Sequence, residues 1–138
     1  AIVLLTVLLT AGLGGQEEPD RFRFFQEEPT GLAIKKFILP LDGGSWTMNC
    51  YVAWDIESRQ AVVVDPGAPA RVVTAFIRSE ELEIQAILLT HGHSDHVGGV
   101  VHLCETFPSI PVYLHRDDQK AAARITGSLT FSVVASFS

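Results

Sequence analysis

Three short apolar runs recur between residues 60 and 115, and segments with helical spacing separate them. The runs are AVVVD at 61–65, IQAILLT at 84–90 and PVYLH at 111–115. Short runs with little polar alternation are typical of strands that are buried on both faces of a parallel sheet. The alternation of such strands with helices predicts an α/β layered domain.

The flanking segments extend this scheme at both ends. Apolar side chains at 72, 73, 76 and 77 have the spacing of one helix face, which predicts a helix between the first two apolar runs. Two further helices are predicted at 97–107 and 116–124, and the tail from Ile125 is too weakly patterned to assign. The strands are predicted at 32–39, 48–55, 60–65, 84–90 and 111–115.

Length and composition limit the classes of protein that this chain can belong to. Its 138 residues are enough for one modest domain, and 47% hydrophobic with 19% charged residues is typical of a globular protein. The net charge of −6 argues against a general nucleic-acid binder, which would normally carry a basic stripe. We therefore expect no nucleic-acid partner.

The two cysteines, Cys50 and Cys104, are too few for a disulfide framework. Cys50 lies in a strand-like apolar run, and Cys104 lies within the apolar pattern of a predicted helix. Free cysteine usually behaves as a small hydrophobe, so both are predicted to be buried free thiols. Nothing in the sequence supports a disulfide between them.

The amino terminus, AIVLLTVLLTAGLGG, carries no charge before Glu17. Its apolar stretch is shorter than the ~20 residues that span a bilayer, but it suits the apolar region of a signal peptide. We predict a signal-peptide remnant or hydrophobic segment at 1–15, a polar linker at 16–30 and a partial domain at 31–138. A buried first strand or helix is the alternative for 1–15.

Localisation depends on the same segment. The chain is expected to be exported, to the periplasm or the exterior, if this run is a signal peptide, and cytoplasmic otherwise. Contact with a membrane is expected only through this segment. Because the sequence lacks an initiator Met and a basic region before the apolar run, we expect it to begin inside a longer reading frame.

The segment HGHSDH at 91–96 concentrates three histidines and an aspartate directly after an apolar strand. Side chains at i and i+2 of an extended segment point to one side, so His91 and His93 can present two imidazoles to one point. Asp95 and His96 follow at the turn into the next helix. Imidazole and carboxylate together suit zinc, iron or manganese. A solvated loop, or a phosphate-binding turn, is the alternative.

The pattern His-x-His-x-Asp-His followed by Gly-Gly resembles the signature of the metallo-β-lactamase superfamily. The resemblance extends to NCYVAWD at 49–55, AVVVDPGAP at 61–69 and PVYLHRDD at 111–118, and it covers roughly residues 32–120. Among the branches of the superfamily, the chain is most similar to the hydroxyacylglutathione hydrolase, or glyoxalase II-like, proteins. The similarity is to their N-terminal half only.

This resemblance implies the first half of an αββα four-layer sandwich and a metal-dependent hydrolase. Two divalent metal ions would be bound, zinc in the first place, with iron or manganese as alternatives. His91 and His93 would bind one ion, and Asp95 and His96 the other, with Asp95 also counted as catalytic. A metal-bound hydroxide would attack the carbonyl of a small thioester or similar acyl substrate.

The resemblance also bears on residues around the motif. Asp65 matches an aspartate of the family, which implies that it holds a metal ligand or the loop by hydrogen bonds. A simple strand-end cap beside Pro66 and Gly67 is the alternative. His102 and His115 match no ligand of the family, and we expect neither to touch metal.

The second half of the family's sandwich supplies further ligands: a histidine, a bridging aspartate and a last histidine. Downstream of His96 the only candidates are His102, His115 and the pair Asp117 and Asp118, none of them in the expected context. The sequence is therefore expected to be a fragment. Two alternatives to the thioester hydrolase stay open: an exported zinc β-lactamase, and a truncated domain that does not catalyse.

The prediction of export can be tested directly. If residues 1–15 are the end of a signal peptide, the secreted protein should lack about 12–15 residues of the sequence given, as expected for cleavage after the small residues at its end. Mass spectrometry of the secreted protein would locate the cleavage. An intact amino terminus in a soluble cytoplasmic fraction would contradict the prediction.

Overall fold

Six strands lie side by side in one sheet, in the order in which they occur along the chain. A computed structural model describes residues 30–127 and 129–134, so the segments predicted at 1–15 and 16–30 lie outside the described residues apart from Thr30. The strands are β1 (Leu32–Leu41), β2 (Trp46–Asp55), β3 (Gln60–Val64), β4 (Glu83–Leu88), β5 (Val112–His115) and β6 (Ser132–Val134).

The sheet is antiparallel at one end and parallel at the other. β1, β2 and β3 form a meander, while β4, β5 and β6 each run parallel to the preceding strand. The turn between β1 and β2 contains Gly43 and Gly44 at φ 67° and 98°, a conformation that favours glycine. The five predicted strands are confirmed, each within two residues, and β6 adds a sixth in the unassigned tail.

Helices connect the parallel strands. They are α1 (Arg71–Ser79), α2 (Ser94–Val97), α3 (Val100–Thr106) and α4 (Gln119–Thr126). The helix predicted at 97–107 is confirmed over Val100–Thr106, but its start was wrong, because the chain breaks at Gly98 and Gly99 into two short helices. Among the described residues, none of the helices could span a bilayer.

The two faces of the sheet bury different sets of side chains. One face packs against all four helices, and its core includes Val52, Val63, Ile77, Ile87 and Leu103. The other face carries a smaller cluster made of strand residues, namely Ala53, Val62, Val64, Ala86 and Leu88. One layer of helices on a mixed sheet confirms the predicted first half of an αββα sandwich.

Both cysteines are free. Cys50 on β2 is fully buried, and burial together with the nearby charge of Asp65 raises the pKa of its thiol to about 12. The prediction that Cys104 is buried was wrong. This residue is only half-buried because Val100 and Leu103 occupy the side of α3 that faces the core, although its partial burial still raises the pKa of the thiol.

The carboxylate of Asp55 joins the start of β1 to the end of β2. Its Oδ1 accepts hydrogen bonds from the N–H groups of Thr30 and Gly31 at 2.7 and 3.0 Å, and from the Thr30 hydroxyl at 3.0 Å. Its Oδ2 accepts the N–H of Ser58 at 2.8 Å. The backbone hydrogen bonds from Gly31 and Ser58 hold the pKa of Asp55 well below its usual range.

We predict that Asp55→Asn lowers the urea midpoint of unfolding at pH 7, because an amide cannot accept all of these hydrogen bonds. The lowered pKa of Asp55 stabilises the fold above about pH 4, the ordinary value of an aspartate in the unfolded chain, and this contribution declines as pH falls toward the folded-state value. The gap between wild type and variant should therefore shrink below pH 4. Asp42→Asn, at an exposed position, is the control and should leave the urea midpoint at pH 7 nearly unchanged. A gap that stays constant from pH 7 to pH 2 would contradict the assignment.

Candidate metal centre

The candidate ligands lie at the carboxyl ends of the parallel strands, where ligands commonly bind in open α/β sheets. β4 ends at Leu88, His91 follows three residues later, and Ser94 begins α2. Asp65 directly follows β3, and its backbone N–H donates to the carbonyl of Leu88 at 3.0 Å. The ends of β3 and β4 are thereby held side by side.

The imidazole ring of His91 packs against two other imidazole rings at this edge. The centroid of the His91 ring lies 4.5 Å from that of His93 and 4.1 Å from that of His96. The planes of His91 and His93 are nearly perpendicular, at 84°. With Asp95 beside His96, these four residues are referred to below as the His–Asp cluster. The structure therefore brings together the four side chains that the sequence pattern predicted as ligands.

Asp65 lies beneath the cluster with only 6% of its side chain exposed. Its Oδ1 accepts the backbone N–H of Thr90 at 2.8 Å, and its Oδ2 accepts the Thr90 hydroxyl at 2.6 Å. The same Oδ2 lies 2.9 Å from Nδ1 of His96. Asp65 thus contacts both a candidate ligand and the loop that carries the ligands, while its role toward a metal stays a prediction.

Asp95 and His96 form the most direct pair of donors. Asp95 Oδ2 lies 3.3 Å from His96 Nε2. Two donors bound to one tetrahedral zinc at about 2.0–2.2 Å would lie about 3.4 Å apart. His96 Nδ1 donates to Asp65. When the ring is neutral, Nε2 therefore carries a lone pair, which faces the carboxylate of Asp95. The separation of the two atoms is compatible with one edge of a metal site.

The protonation of His91 also suits a ligand. Burial, together with the neighbouring rings of His96 and His93, lowers the pKa of His91 below its ordinary value. The ring is therefore neutral near pH 7, which is the form that binds metal. Within residues 30–127 and 129–134, however, no group of three or more His, Cys, Asp or Glu side chains is arranged to hold an ion. The residues fit a metal centre by chemistry and as pairs of donors.

Three glycines allow the backbone of the site to pack closely. A Cβ at Gly99 would lie 2.5 Å from the carbonyl oxygens of both Pro66 and Gly67. The N–H of Gly99 donates to the Pro66 carbonyl at 2.6 Å. A Cβ at Gly67 would collide with the carbonyl oxygen of Asp95, and one at Gly92 would lie 2.7 Å from that of Asp118. The break between α2 and α3 therefore lies directly on the loop after β3.

The other two histidines lie outside the His–Asp cluster. Nε2 of His102, on α3, is 3.3 Å from the hydroxyl of Thr74 on α1. Nδ1 of His115 accepts the N–H of Asp117 at 3.3 Å. Sequence reasoning missed Thr90, which contacts both Asp65 and Nδ1 of His91. Its only signal in the sequence was a hydroxyl residue placed directly before the first histidine of the motif.

Comparison with known proteins identifies relatives of this chain. The family model described as the metallo-beta-lactamase superfamily matches residues 44–131. The hydroxyacylglutathione hydrolase of Yersinia enterocolitica is 48% identical over 69 residues, which are 50% of this chain and 27% of that protein. The chain thus spans about a quarter of the length of this curated relative.

Solved structures of similar fold include two with over 30% sequence identity. The BLEG-1 B3 metallo-β-lactamase is 35% identical with a TM-score of 0.56, and the match covers 72% of this chain and 49% of that one. TTHA1623, solved in a di-iron-bound form, is 34% identical with a TM-score of 0.54, and the match covers 71% of this chain and 53% of that one.

We predict that Gly99→Ala destabilises the fold by about 1–3 kcal/mol, the usual cost of forcing extra atoms into a packed site. The new methyl group would meet two backbone carbonyls that cannot rotate away. Urea unfolding measures the loss. Gly31→Ala is the control, because its Cβ would make an ordinary 3.4 Å contact with Ile56, and its effect should stay within about 0.5 kcal/mol. Equal effects of the two substitutions would contradict the close packing at Gly99.

Proposed function

Because this chain belongs to the metallo-β-lactamase superfamily, we propose that its His–Asp cluster is the metal-binding part of a hydrolase for a thioester or a similar acyl compound. The observation that carries the proposal is the packing of His91 against His93 and His96, at 4.5 and 4.1 Å, with Asp95 beside His96. The 48% identity to a hydroxyacylglutathione hydrolase supports an acyl thioester as the substrate class.

The four donors divide into two pairs. His91 and His93 would hold one divalent ion, and Asp95 and His96 would hold the other. An ion bound there would polarise a carbonyl oxygen and lower the pKa of a bound water molecule. The depressed pKa of His91 keeps its ring neutral and available as a ligand near pH 7.

The two aspartates have different environments, which supports different roles. Asp65 is buried and already engaged by Thr90 and His96, so it holds the loop and the His96 ring. Asp95 leaves 38% of its side chain exposed, so it is open to water and substrate. We assign to Asp95, besides its place as a ligand, the holding of a water molecule or proton beside the substrate carbonyl.

The donor set does not select one metal. Imidazole and carboxylate suit zinc, iron and manganese. We propose zinc in the first place, and the di-iron form of TTHA1623 supports iron as the alternative. The metal content of a preparation with a completed site, such as the fusion described below, decides between them.

One observation favours a second candidate function. The structural neighbour BLEG-1 is described as a B3 metallo-β-lactamase and is 35% identical to this chain. An exported zinc β-lactamase would use the same His–Asp cluster and would need the signal segment predicted at 1–15. The substrate therefore distinguishes the two enzymes, since a β-lactam and a thioester can be offered to the same preparation.

A third candidate is a truncated, non-catalytic domain. Among the described residues the donors form pairs and not a closed set of three. A structural or catalytic zinc site normally has at least three protein ligands. We therefore expect the 138-residue chain alone to bind metal weakly and to show no useful turnover.

The test compares this chain alone with a fusion to the C-terminal part of the Yersinia enterocolitica hydroxyacylglutathione hydrolase, each supplied with zinc, iron or manganese. We expect the fusion to bind about two ions and to hydrolyse acyl thioesters, since added donors can complete both pairs. His91→Ala or Asp95→Ala should abolish both properties. His102→Ala, which removes a histidine outside the His–Asp cluster, should retain them.

Three results would change the proposal. Hydrolysis of β-lactams but not of thioesters would favour the second candidate. A folded fusion that binds no metal would favour the third candidate, the non-catalytic domain. Robust metal-dependent turnover by the chain alone would show that other residues of this sequence complete the site.

A further inference from the structure

We propose that Thr90 is a positioning residue that links Asp65 to His91 by hydrogen bonds. Through these bonds it fixes which imidazole nitrogen of His91 is free to bind a metal. Asp65 then sets the proton position on two rings of the His–Asp cluster, directly on His96 and through Thr90 on His91. The significance for metal binding rests on the proposed function. The proton positions themselves are a property of this chain and can be measured without metal.

The first step follows from the chemistry of Asp65. An ionised carboxylate only accepts hydrogen bonds. The Thr90 hydroxyl, 2.6 Å from Asp65 Oδ2, must therefore donate its single proton to that oxygen. The Thr90 backbone N–H donates to Oδ1 at 2.8 Å. Two hydrogen bonds to the carboxylate therefore hold Thr90 and fix the orientation of its hydroxyl.

The second step concerns His91. Its Nδ1 lies 2.9 Å from the Thr90 oxygen. Because the Thr90 hydroxyl donates its proton to Asp65, its oxygen can only accept a hydrogen bond from His91. Nδ1 of His91 must therefore carry a proton. A neutral His91 ring is thereby held with Nδ1 protonated and with an unprotonated Nε2, which is the nitrogen left to bind a metal.

The third step concerns His96, which reaches the same carboxylate without an intermediary. Its Nδ1 is 2.9 Å from Asp65 Oδ2 and must donate to it. Its Nε2 then faces Asp95 Oδ2 at 3.3 Å. Oδ2 of Asp65 consequently accepts from both the Thr90 hydroxyl and the His96 ring, and the two histidines are oriented by one oxygen atom.

Thr74 and His102 provide a matched comparison elsewhere in the same chain. The Thr74 hydroxyl donates to the carbonyl of Arg71 at 3.0 Å, and its oxygen lies 3.3 Å from Nε2 of His102. By the same accounting of protons, Nε2 is the donor in His102. The two threonine–histidine contacts therefore predict opposite tautomers, Nδ1–H in His91 and Nε2–H in His102.

The experiment is ¹⁵N NMR of the full chain, labelled on histidine, stripped of metal with a chelator and held at pH 8. Protonated and unprotonated ring nitrogens give separate signals, and His91→Gln assigns those of His91. We expect predominantly Nδ1–H for His91 in the wild type. Thr90→Val should lower the ratio of Nδ1–H to Nε2–H in His91 about fivefold or more, as the loss of one hydrogen bond predicts. Thr90→Ser keeps the hydroxyl and should preserve the wild-type ratio.

Thr74→Val is the control, and it should shift the tautomer of His102 while leaving His91 unchanged. A wild-type His91 that is mainly Nε2–H would overturn the proposal. This measurement is made on the wild-type chain and does not depend on the folding of a variant. An unchanged His91 ratio in a folded Thr90→Val would also overturn it. Because neither measurement involves turnover or metal, failure of the hydrolase proposal would leave these results standing, and the reverse also holds.

Discussion

The site depends on one buried carboxylate. Asp65 receives two hydrogen bonds from Thr90 and one from His96, so a single side chain joins the ends of β3 and β4 to the start of α2. Each of these hydrogen bonds involves a charged acceptor, which makes it stronger than a neutral pair. Two histidines of the cluster, His96 directly and His91 through Thr90, are thus held by the fold before any ligand is bound.

The strands and the closeness of the four side chains in the His–Asp cluster could be predicted from the sequence because their signals are local. Short apolar runs mark β3, β4 and β5, and the spacing of histidines and aspartate marks the cluster. The break between α2 and α3 could not be predicted, since periodicity alone allows a helix through Gly98 and Gly99. Its cause is contact with the carbonyls of Pro66 and Gly67, more than thirty positions earlier in the chain.

Thr90 escaped prediction for a related reason. A threonine at the end of a strand usually reflects the preference of β-branched residues for extended backbone. The contact of Thr90 with Asp65 arises only because the parallel pairing of β3 and β4 brings residue 65 beside it. Cys104 shows the same limit, because an apolar pattern does not say which side of a short helix will face the core. Contacts between distant parts of the chain decide such cases.

The backbone of Asp65 has a left-handed conformation, with φ at 50°. Asparagine, aspartate and glycine tolerate this region better than other residues. Glycine would suit the backbone but would remove the carboxylate, whereas glutamate would keep the charge but would strain the main chain and place its oxygens one methylene further out. Asparagine would suit the backbone but would turn one acceptor into a donor. Two independent requirements therefore meet at this position, and aspartate is the one residue among these four that satisfies both.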